Sequence, residues 1–136
     1  MPASPNVVLD SFALIAFLRD ETGADTIEQI LQDAAADRCR LWMTEVNYAE
    51  VRYILERKEG LATWQASAAA IATLPIRFVS ADRSLADAAA AIKAYNKLSL
   101  ADAFAAALAQ ELPATLITAD PEFKALSDTL SIDWLK

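Results

Sequence analysis

The sequence predicts an α/β fold with a mainly parallel central sheet, and three observations lead to this fold class. The length of 136 residues corresponds to one domain, and 55% apolar with 23% charged residues is typical of a folded globular chain. Short runs of β-branched or bulky residues alternate with longer stretches that have helical spacing. Alanine, which has the highest helix propensity, fills 30 positions, mostly in the longer stretches. We therefore expect a single domain over residues 1–136.

Five short runs are predicted to form the strands of this sheet. They cover residues 7–9, 40–43, 76–79 and 115–118, with a less apolar run at 130–132. Runs that are apolar throughout, rather than alternating, are typical of parallel strands that helices cover on both faces. Between these runs, apolar residues recur at helical intervals, as at Val46, Ala49, Tyr53 and Ile54. The alternation of strand and helix accounts for the predicted parallel sheet.

Capping residues locate the start of three helices. Thr44 precedes one predicted helix, and Ser99 precedes another with Asp102 at the third position after that cap. Asp120 followed by Pro121 indicates an N-cap and the first helical position of a third helix. A helix that begins directly after a strand starts at the carboxyl end of the sheet. Its first turns are therefore expected at that edge.

The composition excludes several classes of chemistry. The chain has no histidine, which excludes hydrolases and nucleases whose base, acid or metal ligand is an imidazole. Cys39 is the single cysteine, so an intrachain disulfide and a cysteine-rich zinc site are excluded. Two glycines are too few for a glycine-rich phosphate loop. Carboxylates, hydroxyls and a cation that they hold are left for chemistry, in a chain with a formal net charge of −7.

The sequence also predicts a compartment. Neither a secretory signal nor an uncharged apolar run of about 18 residues is apparent, which predicts a protein without membrane association. A lone cysteine fits a reducing interior. The expected location is the cytoplasm.

Four carboxylates are the candidate functional residues. Asp10 follows the first predicted strand and Asp120 follows the fourth, so both aspartates come to the same part of the sheet edge if those strands are neighbours. Ligands of open parallel sheets bind beyond the carboxyl ends of the strands. Glu50 and Asp102 lie in early turns of two predicted helices. Like charges this close resist ionising together unless a divalent cation joins them, and oxygen ligands suit Mg²⁺ or Mn²⁺. Without histidine, a metal-activated water is the expected nucleophile toward a phosphodiester.

Each of these carboxylates also has a purely structural interpretation. Asp10, Asp102 and Asp120 stand where a helix N-cap or a first-turn acid is favoured. Glu50 alone is typical of a solvated helix position, although it lies beside an apolar stripe where an unpaired carboxylate is expensive. Being a cap and being a ligand are compatible, because both need the carboxylate at the strand-to-helix junction. Glu45, in the first turn of its helix, is a reserve candidate for the site.

Four segments resemble the motifs of PIN-domain nucleases in both order and spacing. They are residues 7–15 (VVLDSFALI), 44–51 (TEVNYAEV), 99–107 (SLADAFAAA) and 116–123 (LITADPEF). The resemblance implies a three-layer α/β/α sandwich in which Asp10, Glu50, Asp102 and Asp120 are the metal-binding and catalytic acids. Thr118 matches a position where a hydroxyl often supports the site, and Ser11 is a second supporting candidate. One departure is Ala119, where relatives often carry Gly or Asn, so this position makes no polar contribution.

The short single-domain form is most similar to VapC toxins of toxin–antitoxin pairs. This resemblance implies an endoribonuclease that depends on Mg²⁺ or Mn²⁺, forms a homodimer and is held inactive by a small antitoxin protein.

Basic residues close to the motifs in sequence are candidates for binding RNA. A cation would reverse the local sign of the acidic site, and lysines or arginines would hold flanking phosphates. Arg52 and Lys97 are the candidate RNA-binding residues, and Arg57, Lys58 and Lys124 also lie near the motifs.

Two other functions stay open at this point. One is a catalytically silent PIN-fold module that acts through a protein partner. The other is phosphoryl-aspartate chemistry with Asp10 as the nucleophile. Enzymes of that second class need another acid two residues later, where this chain has Phe12.

Overall fold

A five-stranded sheet forms the centre of the computed structural model, which describes residues 4–135. The strands are β1 (Asn6–Leu9), β2 (Arg40–Thr44), β3 (Ile76–Val79), β4 (Thr115–Thr118) and β5 (Ser131–Trp134). Their order is β3-β2-β1-β4-β5, and each neighbouring pair is parallel. The predicted α/β class with a parallel sheet is confirmed. The last strand begins one residue later and ends two residues later than predicted, because β4 pairs with it as far as Trp134.

Helices connect the strands, and their starts follow the capping residues. They are α1 (Ser11–Leu18), α2 (Ala24–Ala35), α3 (Glu45–Glu59), α4 (Leu61–Ile71), α5 (Arg83–Tyr95), α6 (Leu100–Glu111) and a 3₁₀ helix (Pro121–Leu126). Thr44 Oγ1 accepts a hydrogen bond from the Asn47 amide at 3.0 Å, and Ser99 Oγ accepts one from the Asp102 amide at 3.1 Å. Asp120 is also an N-cap, but the segment after it is the 3₁₀ helix rather than an α-helix.

Two separate cores cover the two faces of the sheet. Val8 and Leu116 point into a core formed with α5, α6 and the 3₁₀ helix. Leu9 and Ile117, the next residues along the same strands, lie in the other core with α1, α2, α3 and α4. Successive residues of a strand face opposite ways, so apolar side chains on both faces require cover on both. The predicted three-layer arrangement is therefore confirmed.

The strand order brings distant parts of the sequence to one edge. β1 and β4 are neighbours in the middle of the sheet and run parallel, so their carboxyl ends coincide. Asp10 directly follows β1, and its amide donates to the Ile117 carbonyl of β4 at 3.3 Å. α3 begins where β2 ends and packs against α6, which carries Asp102. Among residues 4–135, no helix is both long and apolar enough to cross a membrane.

Candidate metal centre

Asp10 lies at the centre of the carboxyl edge and is completely buried. Its Oδ1 accepts a hydrogen bond from the Ala13 amide at 2.8 Å, which caps α1, and its Oδ2 accepts one from the Thr118 hydroxyl. Burial raises the pKa of Asp10 from 3.8 to about 6, although both hydrogen bonds favour the charged form. The carboxylates of Asp120 and Glu50 raise the pKa of Asp10 further. Asp10 is thus both a helix cap and a member of a carboxylate group.

Asp102 and Asp120 form a close pair of carboxyl groups. Asp102 is buried in the first turn of α6, whereas Asp120 is half-buried. Burial, followed by a hydrogen bond and charge repulsion from Asp120, raises the pKa of Asp102 from 3.8 to about 8. Asp10 adds a smaller repulsion, and the hydrogen bond with Ser99 acts in the opposite direction. Two carboxyl groups this close share a proton unless a cation replaces it.

Glu50 contributes an oxygen that has no partner within the chain. Its Oε1 is buried, and no hydrogen-bond donor of the described residues reaches it. A buried carboxylate oxygen without a partner is unfavourable by roughly 1–3 kcal/mol or more, so such an atom indicates a missing ligand. Glu50 also acts electrostatically on Asp10, which connects α3 to the group at the end of β1.

Glu122 is a further carboxylate that sequence reasoning did not single out. Oxygen atoms of Asp102, Asp120 and Glu122 all lie within 4.8 Å of one another. Glu122 stands in the first turn of the 3₁₀ helix, where an acid is explained by the helix N-terminus alone. Its position two residues after Asp120, within the first turn that this N-cap begins, was the available signal.

A buried asparagine connects the helices that carry these acids. Asn47 is fully buried on α3, one turn before Glu50. Its Nδ2 donates to Ser11 Oγ on α1 at 3.0 Å and to the Ala101 carbonyl on α6 at 3.1 Å. Its Oδ1 accepts a hydrogen bond from the Thr44 hydroxyl. Asn47 therefore fixes the starts of α1, α3 and α6 relative to one another.

The two predicted supporting hydroxyls occupy different positions. The buried Thr118 hydroxyl donates to Asp10 and accepts from the Asp120 amide at 3.0 Å, so it joins two carboxylate-bearing segments. The Ser11 hydroxyl donates to the Asn47 carbonyl at 3.2 Å instead of a carboxylate. Its contact supports the junction between α1 and α3.

The other candidates lie on the surface. Arg52 is exposed on α3, where Nη2 lies 3.1 Å from Glu56 Oε1 and the guanidinium stands 5.8 Å from the centre of the Trp64 ring. Lys97 is exposed between α5 and α6. Glu45 is exposed and lines a different depression, beside α4. None of the three is among the groups that shift the pKa of Asp10 or Asp102.

The carboxylate group, defined here as Asp10, Glu50, Asp102, Asp120 and Glu122, fits a divalent cation. All of its donors are oxygen atoms, which Mg²⁺ and Mn²⁺ prefer. Without a cation the group is unfavourable in two ways: two members have raised pKa values and a third has an unpartnered buried oxygen. A doubly charged ion would remove both penalties at once. The residues present therefore suit a cation of this kind.

The fold and this group of acids define the class of the protein: a three-layer α/β domain with an acidic centre at the carboxyl edge of a parallel sheet. The family model for the PIN domain matches residues 7–128. The chain therefore belongs to the PIN domain family, as its four motifs indicated. A search of curated protein sequences finds no match to this chain.

Solved structures of VapBC systems have a similar fold. A chain of VapBC2 from Rickettsia felis, bound to a DNA fragment from its promoter, superposes with a TM-score of 0.78 at 13% identity, covering 96% of this chain and 99% of that one. DNA-bound VapBC from Salmonella typhimurium gives 0.76 at 15% identity, with 95% and 97% covered. The sarcin–ricin loop cleaving toxin VapC20 from Mycobacterium tuberculosis gives 0.68 at 17% identity, with 88% and 93% covered.

Proposed function

We propose that this protein is an endoribonuclease that depends on Mg²⁺ or Mn²⁺ and is the toxin of a toxin–antitoxin pair. The observation that carries the proposal is the convergence of Asp10, Glu50, Asp102 and Asp120 in one partly buried group with raised pKa values and an unpartnered oxygen. Membership of the PIN domain family supports a nuclease. The similar fold of VapBC chains and of a sarcin–ricin loop cleaving toxin supports RNA as the substrate and an antitoxin as the partner.

The residues of the chain have distinct roles in this proposal. Asp10, Glu50, Asp102 and Asp120 would hold the cation. When bound, Mg²⁺ or Mn²⁺ would polarise the scissile phosphate and lower the pKa of a water, so that this water loses its proton more readily and attacks the phosphorus. Thr118 and the Ala13 amide hold the two oxygens of Asp10, so this carboxylate keeps one orientation. Since the chain has no histidine, a carboxylate is left to accept the proton that the attacking water releases.

The proposed partners follow from the same acidic group. A small antitoxin would inhibit by covering the acids, and an arginine of the antitoxin would pair well with carboxylates. We also propose a homodimer in the cytoplasm, where cellular RNA is available. Arg52 and Lys97 would contact flanking phosphates of the RNA. Copurification of a small protein tests the antitoxin, and light scattering after size exclusion tests the homodimer.

A cleavage assay with matched variants tests the nuclease. RNA is incubated with the protein and MnCl₂, and the reaction is repeated with EDTA. Asp10→Asn and Asp102→Asn are expected to abolish cleavage while circular dichroism shows an intact fold. Asp87→Asn, at an exposed position of α5, is the control that is expected to stay active. Full activity of the Asp10→Asn, Asp102→Asn double variant would contradict the proposal.

The alternative is a catalytically silent module that binds a partner. A cation that only stabilises the fold would account equally well for the unpartnered Glu50 oxygen. A rise in thermal stability with MnCl₂, without cleavage of any RNA tested, would favour this alternative.

A further inference from the structure

Phe12 is a large apolar side chain left in solvent at the edge of the acidic centre. It is the second residue of α1, and its side chain is 45% exposed, whereas Ser11 and Ala13 on either side are buried. Together with Ala119 and Asp120 it lines a depression of about 300 Å³. One wall of this depression is thus an aromatic ring, and another carries a carboxylate of the carboxylate group.

The chemistry of the depression differs from that of the acids beside it. Ala119 is exposed and offers only a methyl group, so Asp120 is the charged side chain among the three lining residues. Exposed aromatic rings bind flat, weakly polar groups by stacking, and nucleobases are such groups. In an RNA whose phosphate is held at the carboxylate group, the adjacent base is the nearest flat group.

We propose that Phe12 and Ala119 form a subsite for the nucleobase that flanks the scissile phosphate. This inference rests on the proposed function, because the phosphate at the carboxylate group determines which base reaches the ring. Recognition comes from stacking rather than from hydrogen bonds, since Phe12 and Ala119 have no polar side-chain atom and the carboxylate of Asp120 is assigned to the cation. The subsite therefore favours purines, which have the larger stacking area, without selecting one purine by sequence.

A coupled substitution in protein and RNA tests the subsite. The cut is first mapped in a single-stranded RNA, and the RNA is then made with an abasic residue on either side of the cut. Phe12→Ala is expected to lower kcat/KM by about 5- to 150-fold on the natural RNA, the equivalent of ~1–3 kcal/mol per stacked base. On the RNA that lacks the recognised base, Phe12→Ala is expected to have no effect, because the interaction is already gone.

Two further variants complete the design. Phe12→Trp keeps a stacking surface and is expected to restore cleavage of the natural RNA. Tyr95→Ala removes a ring that is 89% exposed at the end of α5, outside this depression, and is expected to leave cleavage unchanged. An equal loss for Phe12→Ala on natural and abasic RNA would overturn the subsite, since it would show a structural role. Unchanged cleavage of the natural RNA by Phe12→Ala would overturn it as well.

A binding measurement separates this inference from the nuclease. RNA containing 2-aminopurine is titrated with protein in CaCl₂, and stacking of the probe quenches its fluorescence. Quenching that Phe12→Ala abolishes and Phe12→Trp retains supports the subsite even if no RNA is cleaved, in which case only the nuclease proposal fails. Cleavage with no quenching that depends on Phe12 overturns the subsite and leaves the nuclease. If Phe12→Ala instead prevents only the binding of a copurifying small protein, the depression belongs to that partner and the subsite is wrong.

Discussion

A rise in pH is expected to destabilise the metal-free protein between about pH 4 and pH 8. Burial raises the pKa of Asp10 to about 6, and burial with the adjacent Asp120 raises the pKa of Asp102 to about 8. A carboxyl group with a higher pKa in the folded chain binds more protons when folded. Its stabilising effect is therefore present below the unfolded pKa and is lost as the pH rises through the folded pKa.

The magnitude can be worked from Asp10, which is fully buried. Its pKa rises from 3.8 to about 6. At ~1.36 kcal/mol per pKa unit, that rise corresponds to about 3 kcal/mol of unfolding free energy. The loss falls mainly between about pH 4 and pH 6, and Asp102 extends it in the same direction toward pH 8. Since a domain has roughly 5–15 kcal/mol in total, the effect is large enough to measure.

Urea unfolding at a series of pH values measures this effect. The unfolding free energy in EDTA is expected to fall from pH 5 to pH 8. MnCl₂ at about 100 times its Kd adds roughly 2.7 kcal/mol, which offsets the decline. Asp102→Asn is expected to flatten the curve between pH 6 and pH 8, whereas Asp87→Asn leaves it unchanged. A metal-free free energy that is constant or rising over this range would refute the electrostatic argument.

Three other substitutions test the contacts around the acids. Asn47→Ala removes the hydrogen bonds that the Asn47 side chain makes to buried groups on α1 and α6, so urea unfolding is expected to show a loss of about 2–4 kcal/mol, and a loss below about 0.5 kcal/mol contradicts this role. Thr118→Val removes a hydrogen bond that favours the charged form of Asp10, so NMR titration of the metal-free protein is expected to show a higher Asp10 pKa than in the wild type. Glu122→Gln is expected to weaken Mn²⁺ binding about tenfold by calorimetry, while the exposed Glu111→Gln does not; equal affinities would remove Glu122 from the centre.

The elements of the fold could be predicted because their signals are local. The run at 76–79 is four residues of bulky and β-branched character, and β3 has the same bounds. Asp120 and Pro121 predict the start of a helix, and this start is confirmed. The pair does not distinguish a 3₁₀ helix from an α-helix. The hydrogen-bond pattern of so short a segment depends on how Phe123 and Leu126 pack into the core, which is a tertiary property.

The order of the strands was not predictable in the same way. More than a hundred residues separate β1 from β4, and neither strand carries a local signal that the two are neighbours. Convergence of Asp10 and Asp120 was therefore conditional on that pairing. The observed strand order meets this condition, and the catalytic role of the acids stays a prediction.

Asn47 shows the limit of sequence reasoning about the site. An asparagine three residues after Thr44 reads as an ordinary polar position on a helix. Its importance comes from Ser11 and Ala101, which lie 36 and 54 residues away in the chain. Long-range partners of this kind leave no periodicity or spacing to detect. The exposure of Phe12 could not be predicted for a related reason, because it depends on how the first turn of α1 packs, which buries the two neighbouring residues.

The position of β4 between β1 and β5 has a consequence for synthesis on the ribosome. Asp10 and Glu50 leave the exit tunnel long before Asp102 and Asp120, so a nascent chain carries an incomplete carboxylate group until the two later acids emerge. All of the acids can meet only after β4 has paired with β1, which requires residues 115–118 to have emerged. Under the proposed function, cleavage would therefore begin only after this step. Stalled nascent chains ending before residue 114 should accordingly fail to bind Mn²⁺.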